Sequence, residues 1–129
     1  MKTVLFAVNG TLMRGLELEP NLRNVGAVFV REDKTAPCYR LWSIDDKHPA
    51  MLRVDPGDPM AVSVDVELWQ VSYEGLTTVL LGEPQGLSVG KVPLANGETV
   101  LGVIAEPALL SCKQEISAFG GWRNYLASR

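Results

Sequence analysis

Four stretches of this chain carry residue types suited to chemistry on a small anion. Near the end, Phe119-Gly120-Gly121-Trp122-Arg123-Asn124-Tyr125 sets a Gly pair beside aromatics and an Arg. Gly admits backbone angles closed to other residues and lets another chain or ligand come close. Trp and Tyr offer flat faces with a polar tip, and the Arg fork grips carboxylates. The segment can wall a site for a small anion. The plainer alternative is a C-terminal turn with Trp122 in the core and Arg123 in solvent. Early in the chain, Asn9, Gly10, Thr11 and Leu12 end an apolar run. Such a strand end gathers backbone N–H groups and a hydroxyl at one point, either a nest for a carboxylate or phosphate or an ordinary turn.

The third stretch is Leu80-Leu81-Gly82-Glu83-Pro84-Gln85-Gly86. Its acid lies between apolar residues and Gly/Pro bends. If buried, Glu83 would hold its proton to higher pH and could exchange it near neutrality; if exposed, it is an ordinary loop carboxylate. The fourth consists of cations. Arg40, Arg53 and Arg123 each alternate with apolar neighbours. Arg40 or Arg123 would pair with a substrate acid, solvation being the default for any one Arg. The remaining acids read as ordinary. Asp45-Asp46-Lys47 is a solvated charged loop, and Asp65 and Glu67 fall on the polar face of a strand. No nucleophile elbow, phosphate-binding loop or dinucleotide fingerprint is present. Cys38 lacks an evident base, since His48 is the only histidine. One His and two distant Cys give no metal-ligand spacing, so neither a metal nor another cofactor is expected.

These residues need a scaffold. The chain has 129 residues, enough for one domain with a real core. A net charge of −3 argues against a nucleic-acid partner. No apolar run approaches membrane-spanning length, and the N-terminal run is too short for a signal peptide. Two isolated thiols suit a reducing cytoplasm. Gly, Pro or Asn interrupts the sequence roughly every ten residues, as in a β-rich domain. Thr3 to Val8 is largely apolar and β-prone and predicts a buried central strand. Further strands are expected over Gly26 to Arg31, Ala36 to Ile44, Ala50 to Val54 and Ala61 to Gln70, and over Leu87 to Leu94 and Thr99 to Ala105 about a hairpin at Asn96-Gly97. In Ala61 to Gln70, Val62, Val64, Val66 and Leu68 share one face. Glu19 to Val25 and Glu74 to Leu81 have weak helical character, and Ser111 to Tyr125 holds one more short strand or helix. The expected fold is α+β, a small mixed sheet closing into a barrel with one or two flanking helices.

The order of these pieces resembles the γ-glutamylcyclotransferase-like superfamily, and within it most closely the C-terminal domain of allophanate hydrolase. The residues that carry the resemblance are Val8-Asn9-Gly10-Thr11-Leu12-Met13-Arg14-Gly15, Thr35-Ala36-Pro37-Cys38-Tyr39-Arg40-Leu41, Val66-Glu67-Leu68-Trp69, Ile104 and Phe119 to Tyr125. It covers nearly the whole chain. It implies one domain over residues 1–129, a cavity at one end, an early loop that holds substrate by its backbone, and Glu83 as acid/base. The terminal Gly pair is itself expected to hold special backbone angles at Gly120 and Gly121. Two departures from the cyclotransferase pattern are visible: Asn9 replaces the loop tyrosine, and Leu87-Ser88-Val89 replaces an aromatic after the Glu. Two functions follow as expectations. One is a cofactor-free enzyme on a small anionic amide or carbamate. The other is a non-catalytic metabolite-binding or assembly module for a separate amidase. A homodimer is compatible with either.

Overall fold

The computed structural model describes residues 2–129. Eight strands and three helices follow in the order β1 (Thr3–Val8), α1 (Glu19–Asn24), β2 (Val28–Lys34), β3 (Tyr39–Ile44), β4 (His48–Arg53), β5 (Asp65–Ser72), α2 (Tyr73–Leu81), β6 (Leu87–Pro93), β7 (Thr99–Ala105), β8 (Gln114–Glu115) and α3 (Trp122–Ala127). Apolar β1 takes the centre of a five-stranded sheet ordered β2-β5-β1-β7-β6. It runs antiparallel to β5 and parallel to β7, which makes the sheet mixed. A second antiparallel sheet is ordered β4-β3-β8.

The α+β class agrees with the sequence reading, but the strands do not form one closed ladder. The edges β2 and β6 meet only at one end, where Ala36 N–H donates to Pro93 O and Ala95 N–H to Lys34 O. Beyond Lys34 the chain leaves for the small sheet, so no further edge pairing forms. A lone bridge at Thr35–Leu94 completes the seam, and another at Tyr39–Val62 joins the start of β3 to the segment before β5. The terminal stretch supplies both β8 and α3, so there are three helices rather than one or two.

Expected Ala61 to Gln70 begins as a strand only at Asp65 and runs to Ser72. Its apolar face is in the core, with Val64, Val66 and Leu68 buried. The opposite face is not wet at Glu67, which is only 1% exposed because the chain's last turn covers it. Helix α2 starts where the Ser72 hydroxyl accepts from Gly75 N–H, a capping bond that satisfies an otherwise orphaned donor. It stops at Gly82, ahead of Pro84, which cannot extend a helix. That stop sets the position of Glu83. One core, built on Phe6, Trp69, Tyr39, Leu41 and Met51, joins the two sheets.

Candidate functional site

The end of β1 and the end of α2 converge. Val8, Asn9, Gly10, Thr11, Leu12, His48, Pro49 and Glu83 surround a cavity of about 10 Å³, at the lower bound for one water. Asn9 is buried, and its side-chain amide donates to Val103 O at 3.0 Å, which pins the loop to β7. Gly10 packs against Pro49 so closely that a Cβ would stand 2.5 Å from the proline Cδ. No residue with a side chain fits there unless the rigid ring moves. Leu12 points into the core and is 2% exposed. Met13 N–H donates to Gly10 O and Leu18 N–H to Thr11 O, which closes the turn. Among the described residues, the N–H groups of Thr11 and Leu12 donate to no protein acceptor.

Glu83 follows the last turn of α2, its N–H bonded to Leu80 O at 3.1 Å. Its Oε2 is buried and has no hydrogen-bond partner. Burial without a compensating donor favours the neutral acid, and it pushes the carboxyl up to about 7. Glu83 also borders a wider outer cleft of about 700 Å³, shared with Thr11, Lys47 and His48. The imidazole of His48 is buried, with Nδ1 3.0 Å from Pro49 O. A carbonyl only accepts, so Nδ1 is the donor in this contact. The small cavity cannot contain a metabolite. The outer cleft has room for one, and Glu83 and His48 are among its lining residues.

Neither Arg40 nor Arg123 lines these cavities. Arg40 pairs with Glu115 through two nitrogens, reaches Asp58 at 3.5 Å and lies 5.0 Å over the Trp42 ring. It fastens β8 to β3. Arg123 donates to Glu67 Oε2 at 3.1 Å and to Arg14 O at 2.6 Å. Arg40 and Arg123, expected to pair with a substrate acid, are thus placed away from Glu83: an Arg on a strand or terminal turn meets whichever carboxylate the next element brings, and sequence does not say which. Arg123 borders a separate groove of about 440 Å³ with Glu67, Asp65 and Lys34. Glu67 there accepts from Arg14 N at 2.8 Å, Arg14 Nε at 3.3 Å and Trp69 Nε1 at 3.4 Å. This is a structural clamp on the loop after β1.

The terminal motif is partly as expected. Gly120 has φ +71°, in the left-handed region, whereas Gly121 has φ 176° and is simply extended. Gly121 is small for a different reason, since a Cβ would meet Asp65 Cβ at 3.0 Å. Sequence reasoning missed three residues: His48, taken as a lone histidine; Glu67, taken as a surface acid; and Lys47, taken as part of a solvated loop. Only Glu67 carried a signal, an acid inside the apolar run Val66-Glu67-Leu68-Trp69. Among the described residues there is no cluster of three or more potential metal ligands, and no helix is long and apolar enough to cross a membrane. Cys38 is buried and Cys112 exposed, both as free thiols.

Comparison with known proteins bears on this geometry. The sequence matches the allophanate hydrolase C-terminal domain family over residues 4–127. It is 27% identical to the urea amidolyase of Saccharomyces cerevisiae over 95% of this chain and 7% of that protein, so it spans less than a tenth of the curated relatives it matches. A solved uropathogenic E. coli-specific protein, c4763, is 51% identical with TM-score 0.94, covering 100% of this chain and 99% of that one. Kluyveromyces lactis allophanate hydrolase is 26% identical with TM-score 0.91, over 99% of this chain and 22% of the longer one. A gamma-glutamyl cyclotransferase, 15% identical with TM-score 0.55 over 88% of this chain and 70% of that one, shares the fold alone.

Proposed function

Because this chain belongs to the allophanate hydrolase C-terminal domain family, we propose that it is a small-molecule enzyme acting on an anionic carbamate or amide, with Glu83 as the proton carrier. One observation carries the reading. A carboxyl oxygen is held buried and unpartnered beside a loop whose Thr11 N–H donates to no protein acceptor among the described residues and whose Thr11 borders the outer cleft. The reaction that suits it is decarboxylation of an N-carboxylated carbamate. Neutral Glu83 gives its proton to the nitrogen as the bond to the departing carboxyl carbon breaks and carbon dioxide leaves. Water then returns the proton. Thr11, the loop residue that borders the outer cleft, holds the carboxylate that stays through its N–H, and a preorganised donor of this kind needs no reorganisation as charge shifts.

The test is Glu83→Gln, which keeps the shape and removes the proton. Substrate is generated in place by an amidase acting on allophanate, and carbon dioxide release is followed. A general acid typically contributes 10²–10⁴-fold, so a loss on the order of a hundredfold is expected. A loss under about tenfold would sink the assignment. The second reading is a metabolite-binding or assembly module for a separate amidase. It is favoured by the relatives, in which the corresponding region is 7% to 22% of a longer chain. Under that reading Glu83→Gln leaves turnover unchanged and the chain still binds the amidase.

A further inference from the structure

Resting on the reading of Glu83 as proton carrier, we infer that Lys47 is the residue that anchors the anionic end of the substrate in the outer cleft. Both expected anchors, Arg40 and Arg123, are held elsewhere by Glu115 and Glu67. Of the residues around the cleft, Lys47 is the one cation. It sits at the tip of the β3–β4 hairpin, where its N–H closes the turn on Ile44 O at 2.9 Å.

Lys47 is the cation next in sequence to Asp45 and Asp46, but it does not neutralise them. The structure neutralises them from other elements. Lys113 Nζ meets both oxygens of Asp45 at 3.0 and 3.1 Å. Asp46 accepts from Ser43 Oγ at 2.8 Å and from Tyr125 OH, and pairs with Arg129 at 3.2 Å. Lys47 consequently has no carboxylate partner among the described residues.

The turn is also fixed at a conformational cost. Asp45 and Asp46 both lie in the left-handed region, at φ 55° and 59°, where a hairpin of this kind ordinarily carries Asn-Gly. Bonds from β3, α3 and the segment before β8 hold these angles. Strain maintained by surrounding structure accompanies functional placement of what it presents. Here the strained turn presents Lys47 and His48 to the cleft that Glu83 also lines. Glu17 and Asp46 border the same cleft with opposite charge; Asp46 is already paired with Arg129 and Tyr125, and Glu17, exposed as Lys47 is, acts on a ligand only through water and salt that screen it. Lys47 would contribute a direct charge-assisted contact, which long-range repulsion does not cancel.

The probe is malonate, a small stable dicarboxylate, with neutral malonamide as its control. Binding to the full chain is measured by calorimetry or amide chemical shifts. Lys47→Ala should weaken malonate about tenfold or more and leave malonamide unchanged. Lys47→Arg should keep malonate within about threefold, since it preserves the charge. Glu17→Gln, a charge change on the same rim, should move affinity far less than Lys47→Ala. Equal malonate affinity in the wild type and Lys47→Ala overturns the inference, as does a wild type that does not bind malonate at millimolar concentration. Neither result touches Glu83, whose assignment stands or falls on turnover by Glu83→Gln.

Discussion

Glu83 can be interrogated without any substrate. Its carboxyl titrates near 4.5 in an unfolded chain and at about 7 in the folded one. Between these values the folded state holds a proton that the unfolded state has lost. Stability therefore falls as pH rises from about 4.5 to about 7 and is flat above. Discounted for Glu83's partial solvent access, the penalty above pH 7 is on the order of 2 kcal/mol. Glu83→Gln removes it. Urea unfolding should find this variant more stable than wild type at pH 8 and equal to it below pH 4.5. A difference that does not vary with pH would mean the carboxyl is solvated. At the same scale, the Glu67 carboxylate shows how burial and role separate. It is more deeply buried than Glu83, yet every bond it makes is to a structural donor from Arg14, Arg123 or Trp69. Its neighbours leave it no free oxygen to offer a ligand. Glu83 keeps one.

Among the elements, the terminal segment holds the two sheets together. Ile116 N–H donates to Leu41 O in β3 at 2.7 Å, and Asp65 N–H at the start of β5 donates to Gly120 O at 2.8 Å. The Ser117 hydroxyl accepts from Leu41 N–H at 2.9 Å. Helix α3 is too short to be stable alone. It is held by Trp122, 2% exposed and packed on Tyr125 with ring centroids 5.5 Å apart. Trp122→Ala should thus cost about 3–5 kcal/mol, as a large truncation in a closed core. Chemical denaturation measures it, and a loss under about 1 kcal/mol would show that the motif does not anchor the segment. The same docking places Tyr125 on Asp46 and Arg123 on Arg14 O. In this way α3 reaches both the hairpin tip, where Asp46 borders the cleft, and the loop after β1.

At the scale of the molecule, one core cluster spans both sheets. Unfolding should accordingly be a single cooperative transition, with tryptophan fluorescence and far-ultraviolet circular dichroism tracing one curve. Two separated transitions would mean that the sheets are independent units. Sequence alone determined a good deal here. A run of five apolar residues, Val4 to Val8, is best satisfied by cover on both faces, which makes Thr3–Val8 a central strand. Asn96-Gly97 encoded a hairpin, because its backbone angles are cheap only for such residues. Gly82 and Pro84 ended a helix and so set Glu83 at a bend. These are local rules, decided within a few residues. Whether the sheet closed, whether the second face of β5 was wet, and which carboxylate each Arg met were decided by elements far apart in the chain. Glu67 is buried because residues more than fifty positions later fold over it. Lys47 is left free because Lys113 and Arg129 arrive at the acids beside it. Charge pairing and burial depend on distance in space, and only the tertiary structure sets that distance.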